Sequence, residues 1–121
     1  MDYLNIDRTE KRKSRERRIR DRIDRLEVII YRSRYRQKFF EELQKLRNEL
    51  QIIRSMKPYI ELSEHDQNIV NKLESLDEGG YANWPEMSYL ASQLEDEERK
   101  EYWHGVCVHY NHMEEASIGN L

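Results

Sequence analysis

Little in this chain can turn it sharply. Its 121 residues hold four glycines and two prolines, and neither type occurs between Met1 and Lys57. The first half therefore lacks the residues that most often break a helix. Cys107 is the one cysteine, so no disulfide closes within the chain and a reducing, cytoplasmic setting is the expectation. The longest apolar run, Val28 to Tyr31, is four residues. A membrane-spanning helix needs ~20, so no membrane partner is expected. The opening stretch MDYLNIDRTEKRKSRERR has no apolar segment of the kind a secretory signal requires. Gly79, Gly80, Gly105 and Gly119 do not form a phosphate-binding loop, and no nucleophile elbow or kinase signature appears. These absences predict a non-enzymatic protein with no catalytic residues and no cofactor.

Apolar residues are also scarce. They make up 37% of the chain, and charged residues make up another 37%. That is a thin core for its surface, which favours an elongated helical shape or a second subunit.

Charge is plentiful, and it is sorted. Residues 1–57 carry 18 Lys or Arg against 10 Asp or Glu, a net of +8. Residues 58–121 carry 3 against 14, a net of −11, so the overall −3 conceals two opposite halves. A basic half attracts phosphates or acidic proteins, and an acidic half attracts basic ones. The division predicts a basic long-helix region over 1–57 and an acidic helical region over 58–121, within one domain overall.

Two apolar stripes run along the basic region. Ile19, Ile23, Leu26 and Ile30 make the first; Phe39, Leu43, Leu46, Leu50 and Ile53 make the second. On one continuous helix they lie on nearly opposite faces. With no Gly or Pro between them, the spacing predicts one long, bent helix over 8–57, starting near Asp7 or Thr9. Such a helix would be ~75 Å long at 1.5 Å per residue and would need a partner. The second stripe is the expected seam with a second copy, giving a homodimer, or with a partner helix.

Beyond Pro58 the punctuation is clearer. Ser63 and Asp66 resemble a capping box opening a helix with Ile69, Val70, Leu73 and Leu76 on its apolar side, and Gly79-Gly80 ends it. Asn83, Pro85 and Glu86 predict a second start, with Met87, Leu90, Ala91 and Leu94 inside. Trp103, Val106, Tyr110 and Met113 fit a third helix, although Gly105 and the Val106-Cys107-Val108 run weaken that prediction. The expected class is all-α: a long basic amphipathic helix followed by a small acidic bundle of about three helices.

Four groups could carry function. Arg12, Arg15, Arg18, Arg22 and Arg25 crowd one helix, and guanidinium forks suit phosphate. Arg32, Arg34 and Arg36 then interleave with Tyr31 and Tyr35, a pattern suited to stacking bases between cations. These residues predict a nucleic-acid or ribonucleoprotein partner. The same charge could instead form a solvated or protein-facing helix, partly neutralised by the i,i+4 pairs Glu16/Arg20, Asp21/Arg25 and Glu41/Lys45. The second group is the acidic half, where Glu61, Glu64, Asp66, Glu74, Asp77, Glu78, Glu86 and Glu95–Glu98 could imitate DNA phosphates. That alternative is a small inhibitor of the kind phages encode, blocking a nucleic-acid-binding enzyme or defence complex. A third alternative is a coiled-coil assembly subunit. His104, Cys107, His109 and His112 have metal-competent side chains, but their spacing fits no known ligand pattern, so no metal is expected. Finally, Tyr81, Trp84, Tyr89, Tyr102 and Trp103 read mainly as core filler, Trp84 and Trp103 above all.

Overall fold

The computed structural model describes residues 14–32, 34 and 36–119. Expectations that fall on Asp7, Thr9, Arg12 and Tyr35 lie outside these. Among the described residues the chain is all-α, with five α-helices, two short 3-10 turns and no strand. None of these helices is long and apolar enough to cross a membrane. The chain divides into two compact units, Met1–Met56 and Lys57–Leu121.

In the first unit the expected single helix is two. Helix α1 spans Arg15–Arg32 and α2 spans Arg36–Ser55. They run antiparallel, because Arg15 near the start of α1 meets Glu49 near the end of α2, and Arg22 meets Glu42. The break falls where the two stripes change phase. On a continuous helix, opposite faces cannot be buried by one neighbour. Folding back brings them together, and that burial outweighs the lack of a turn-forming residue. Ile19, Ile23, Leu26 and Leu43 are buried, with Ile30, Phe39, Leu46, Leu50 and Ile53 packed around them. The surface assigned above to a second copy or partner helix is thus covered by α1 of the same chain.

The second unit packs α3 (Glu64–Glu78), α4 (Trp84–Ser92) and α5 (Glu97–Gly119) around one core. Leu73, Met87, Ala91, Leu94, Trp103, Val106 and Cys107 line it. The stretch 102–112 is helical throughout; of the positions that the spacing predicts, Trp103 and Val106 are buried and Tyr110 packs against the core, whereas Met113 is exposed, as is Val108.

The helix ends depart instructively from the sequence pattern. Ser63 Oγ accepts the Asp66 amide at 3.2 Å, as a capping box requires. Asp66 does not reach back to Ser63; its side chain goes elsewhere in the fold. Asn83 makes no side-chain cap for α4. It turns back instead, and its Nδ2 donates to Leu76 O at 2.9 Å, a second donor for a carbonyl in the last turn of α3 that also accepts the Gly79 amide at 3.0 Å. That approach explains Gly79, where a Cβ would stand 2.7 Å from Asn83 Nδ2. Gly80 follows at φ 108° and ψ 174°, backbone that essentially only glycine adopts.

Candidate nucleic-acid interface

The hairpin sorts the candidate arginines into two sets. The first set is used by the fold. Arg15 Nε meets Glu49 Oε1 at 2.8 Å, with both side chains mostly covered. Arg22 holds Glu42 with a fork, Nε to Oε1 at 2.9 Å and Nη2 to Oε2 at 3.3 Å. The hydrogen bond to Glu42 raises the Arg22 pKa above its ordinary value, outweighing a burial effect in the other direction. Arg47 reaches Glu27 at 2.8 Å, and Arg54 lies 3.9 Å from Glu16. Each such pair contributes little alone, but together they fix which residues face across the hairpin. One of the expected pairs within a helix is replaced by a pair across the hairpin, and the other two give way to hydrogen bonds within their own helices. Glu16 faces Arg54 rather than Arg20, Glu41 accepts from Gln37, and Arg25 donates to the Asp21 carbonyl oxygen at 3.4 Å. Arg18 is half-buried.

The second set lies at the apex, where the chain turns from α1 into α2. Arg32, Arg34, Arg36 and Lys38 are all exposed there, and none has a partner among the described residues. Tyr31 is 83% exposed, Val28 57% and Phe40 47%. The whole segment Val28–Phe40 contains no Asp or Glu, in a chain that has 24 of them. The turn therefore gathers cations and rings with no carboxylate between them.

This apex also runs against helix electrostatics. A helix N-terminus carries partial positive charge and favours acidic residues. Helix α1 opens with Glu16, α3 with Glu64 and Asp66, α4 with Glu86, and α5 with Glu97 and Glu98. Helix α2 has no acid in its first turn, which instead holds Arg36 and Lys38. Arg36→Glu should therefore stabilise the hairpin by about 0.5–1 kcal/mol at low salt, because it complements the dipole. Neither Phe39 nor Phe40, its neighbours one turn on, would repel the new charge. Urea unfolding of the two proteins checks this, and a lower midpoint for the variant would contradict it.

The other candidate groups are placed as follows. Glu61, Glu64, Glu78, Glu86, Glu97, Glu98 and Glu101 are exposed, with no Lys or Arg partner among the described residues. Several sit in first turns, where they complement helix dipoles. His104, His109 and His112 are exposed on α5, whereas Cys107 is buried. Trp103 is buried, and Trp84 is half-buried with its Nε1 donating to Glu114.

Two of the acids expected to imitate phosphates, Asp66 and Asp77, are buried instead, and Asp77 accepts from Tyr110. The sequence reading missed the long-range role of Asp66. It is 2% exposed, yet charged. Its two carboxylate oxygens accept the amides of Glu95 at 3.0 Å and Asp96 at 2.9 Å, and His65 Nδ1 lies 3.0 Å from Oδ1. Burial pushes the Asp66 carboxyl up, but the two amides and His65 together hold it below the usual carboxylate range. His65, Asp66 and Glu95 also bring ligand-type atoms within 4.8 Å of one another. Both Asp66 oxygens are already engaged by backbone amides, which gives this cluster a structural role. No pattern in the sequence links residue 66 to residues 95 and 96.

No family model, curated protein or solved structure matches the chain.

Proposed function

We propose that the chain is a non-enzymatic regulatory or adaptor protein that holds nucleic acid, free or within a ribonucleoprotein, through the apex of its α1–α2 hairpin. One observation carries this reading. Among the described residues, four cations without a partner share a carboxylate-free segment at the one α-helix start that has no acidic residue. A purely structural apex would gain stability from a carboxylate there. Phosphate is the ligand that such a field and such forked donors suit. The contact set shifts accordingly, from Arg15 and Arg22 to Arg32, Arg34, Arg36 and Lys38.

The test is fluorescence anisotropy with a labelled oligonucleotide. Four phosphate contacts imply that affinity falls about 50–150-fold between about 50 and 200 mM salt. Replacing Arg32, Arg34, Arg36 and Lys38 together with Gln should cost roughly 10–100-fold at the lower salt and flatten the salt dependence. Binding that ignores salt, or survives those four substitutions, would remove the apex from the reading.

The unpartnered glutamates of the second unit favour a second reading, a small inhibitor that presents carboxylates to the basic groove of a nucleic-acid-binding protein. In that case the four-Gln variant would keep its activity, and charge-reversing Glu97, Glu98 and Glu101 would abolish it.

A further inference from the structure

We infer that the apex takes unpaired strands in preference to duplex, with a base stacked on Tyr31; this rests on the reading of the apex as a nucleic-acid site. Tyr31 lies one residue beyond the Ile19–Ile30 stripe, which turns it away from the hairpin core, and it is 83% exposed. Exposed Arg32, Arg34 and Arg36 follow it in sequence. Phosphate contact alone uses none of the rings at this end. In a duplex, each base face is already covered by its neighbours, and uncovering one costs unstacking. An unpaired base offers its face without that cost, and stacking on an aromatic side chain is indifferent to base identity.

Width argues the same way. Two packed helices, each about 10 Å across with axes roughly 8–10 Å apart, present an end about 20 Å wide. The major groove of B-DNA is about 12 Å wide and admits one helix, not a hairpin end. A flexible single strand can instead drape over the apex. Four cations set a short footprint, three or four phosphates on one strand.

The experiment measures anisotropy of the full chain with labelled oligo-dT, oligo-rU and a duplex, each about 12 units long. The proteins are wild type, Tyr31→Leu, Tyr31→Phe and the four-Gln variant. Far-UV circular dichroism confirms that each variant, changed only at exposed positions, remains helical. Wild type should bind at least one unpaired strand about tenfold or more tighter than duplex. Tyr31→Leu keeps apolar area but loses the ring, and should weaken single-strand binding by about 5–100-fold with an unchanged salt slope. Tyr31→Phe should bind as wild type does. The dT and rU arms separate DNA from RNA through the 2′-hydroxyl, and preference for either supports the inference. Duplex binding as tight as single-strand binding, or Tyr31→Leu equal to wild type, overturns stacking while a salt-dependent, four-Gln-sensitive signal leaves the phosphate site standing. No binding to any of the three probes at low salt overturns the site itself, and the inference with it.

Discussion

Trp103→Ala should remove about 3–5 kcal/mol from the stability of the second unit. The indole is 2% exposed, sealed among Leu73, Met87, Leu90, Leu94 and Val106, and Tyr102 meets it edge-on at 5.5 Å and 79°. Truncation there loses both the transfer free energy of the ring and the contacts of the cavity left behind. A folded unit of this size holds only about 3–10 kcal/mol in total, at roughly 0.05–0.15 per residue. The variant should therefore be largely unfolded in that region at room temperature. Trp84 remains as the one fluorophore of its kind, because the chain has two Trp. Its emission should shift red in the variant without denaturant. A native-like emission maximum and a urea midpoint near that of wild type would mean that Trp103 does not carry this core.

Asp66→Ala should be the next most damaging change, at about 2–4 kcal/mol, since hydrogen bonds to a charged acceptor each contribute roughly 1.5–3. The carboxylate is the acceptor for the Glu95 and Asp96 amides, which otherwise begin α5 without a partner from α3. A pH signature separates this loss from simple loss of packing. The folded carboxyl is held below its ordinary value, so the unfolded chain takes up the proton more readily. The stabilisation is therefore complete above the unfolded value of about 3.9 and disappears as pH falls through the lower folded value. As pH falls below about 4, wild type should lose more stability than Asp66→Asn, which keeps the shape and has no charge to lose. Parallel acid-unfolding curves for the two proteins would contradict this account.

The sequence revealed local features of the fold more readily than long-range ones. The stripe Ile19–Ile30, the stripe Phe39–Ile53, the buried faces of α3 and α4, and the stop at Gly79-Gly80 all follow from periodicity and breakers, which operate within a few residues. The hairpin was present as an unresolved conflict. The two stripes disagree in phase, which points to a turn, while the lack of Gly or Pro points to a continuous helix. Burial of Leu26 and Leu43 shows that the phase change was the stronger signal. The ion pairs Arg15–Glu49 and Arg22–Glu42 join residues 34 and 20 apart, and until the chain is known to fold back nothing distinguishes them from the exposed arginines. Asn83 has a side chain that suits a cap. Which helix end it serves depends on the path of the chain through Gly80. Tyr31, Arg32, Arg34 and Arg36 stand out by composition, and their exposure at the turn marks them off from Arg15 and Arg22.

The reach of Asp66 has a consequence for how small this unit can be made. One carboxylate near the start of α3 serves the start of α5, about thirty positions later, and Arg99 Nη1 donates to the Lys57 carbonyl oxygen from still further away. A fragment that stops after α4 keeps the buried acid but not its donors. It would have to hydrate or protonate that group, and doing so would open the end of the helix that carries it. The three helices therefore stand or fall together, and a shortened version has no natural stopping point between them.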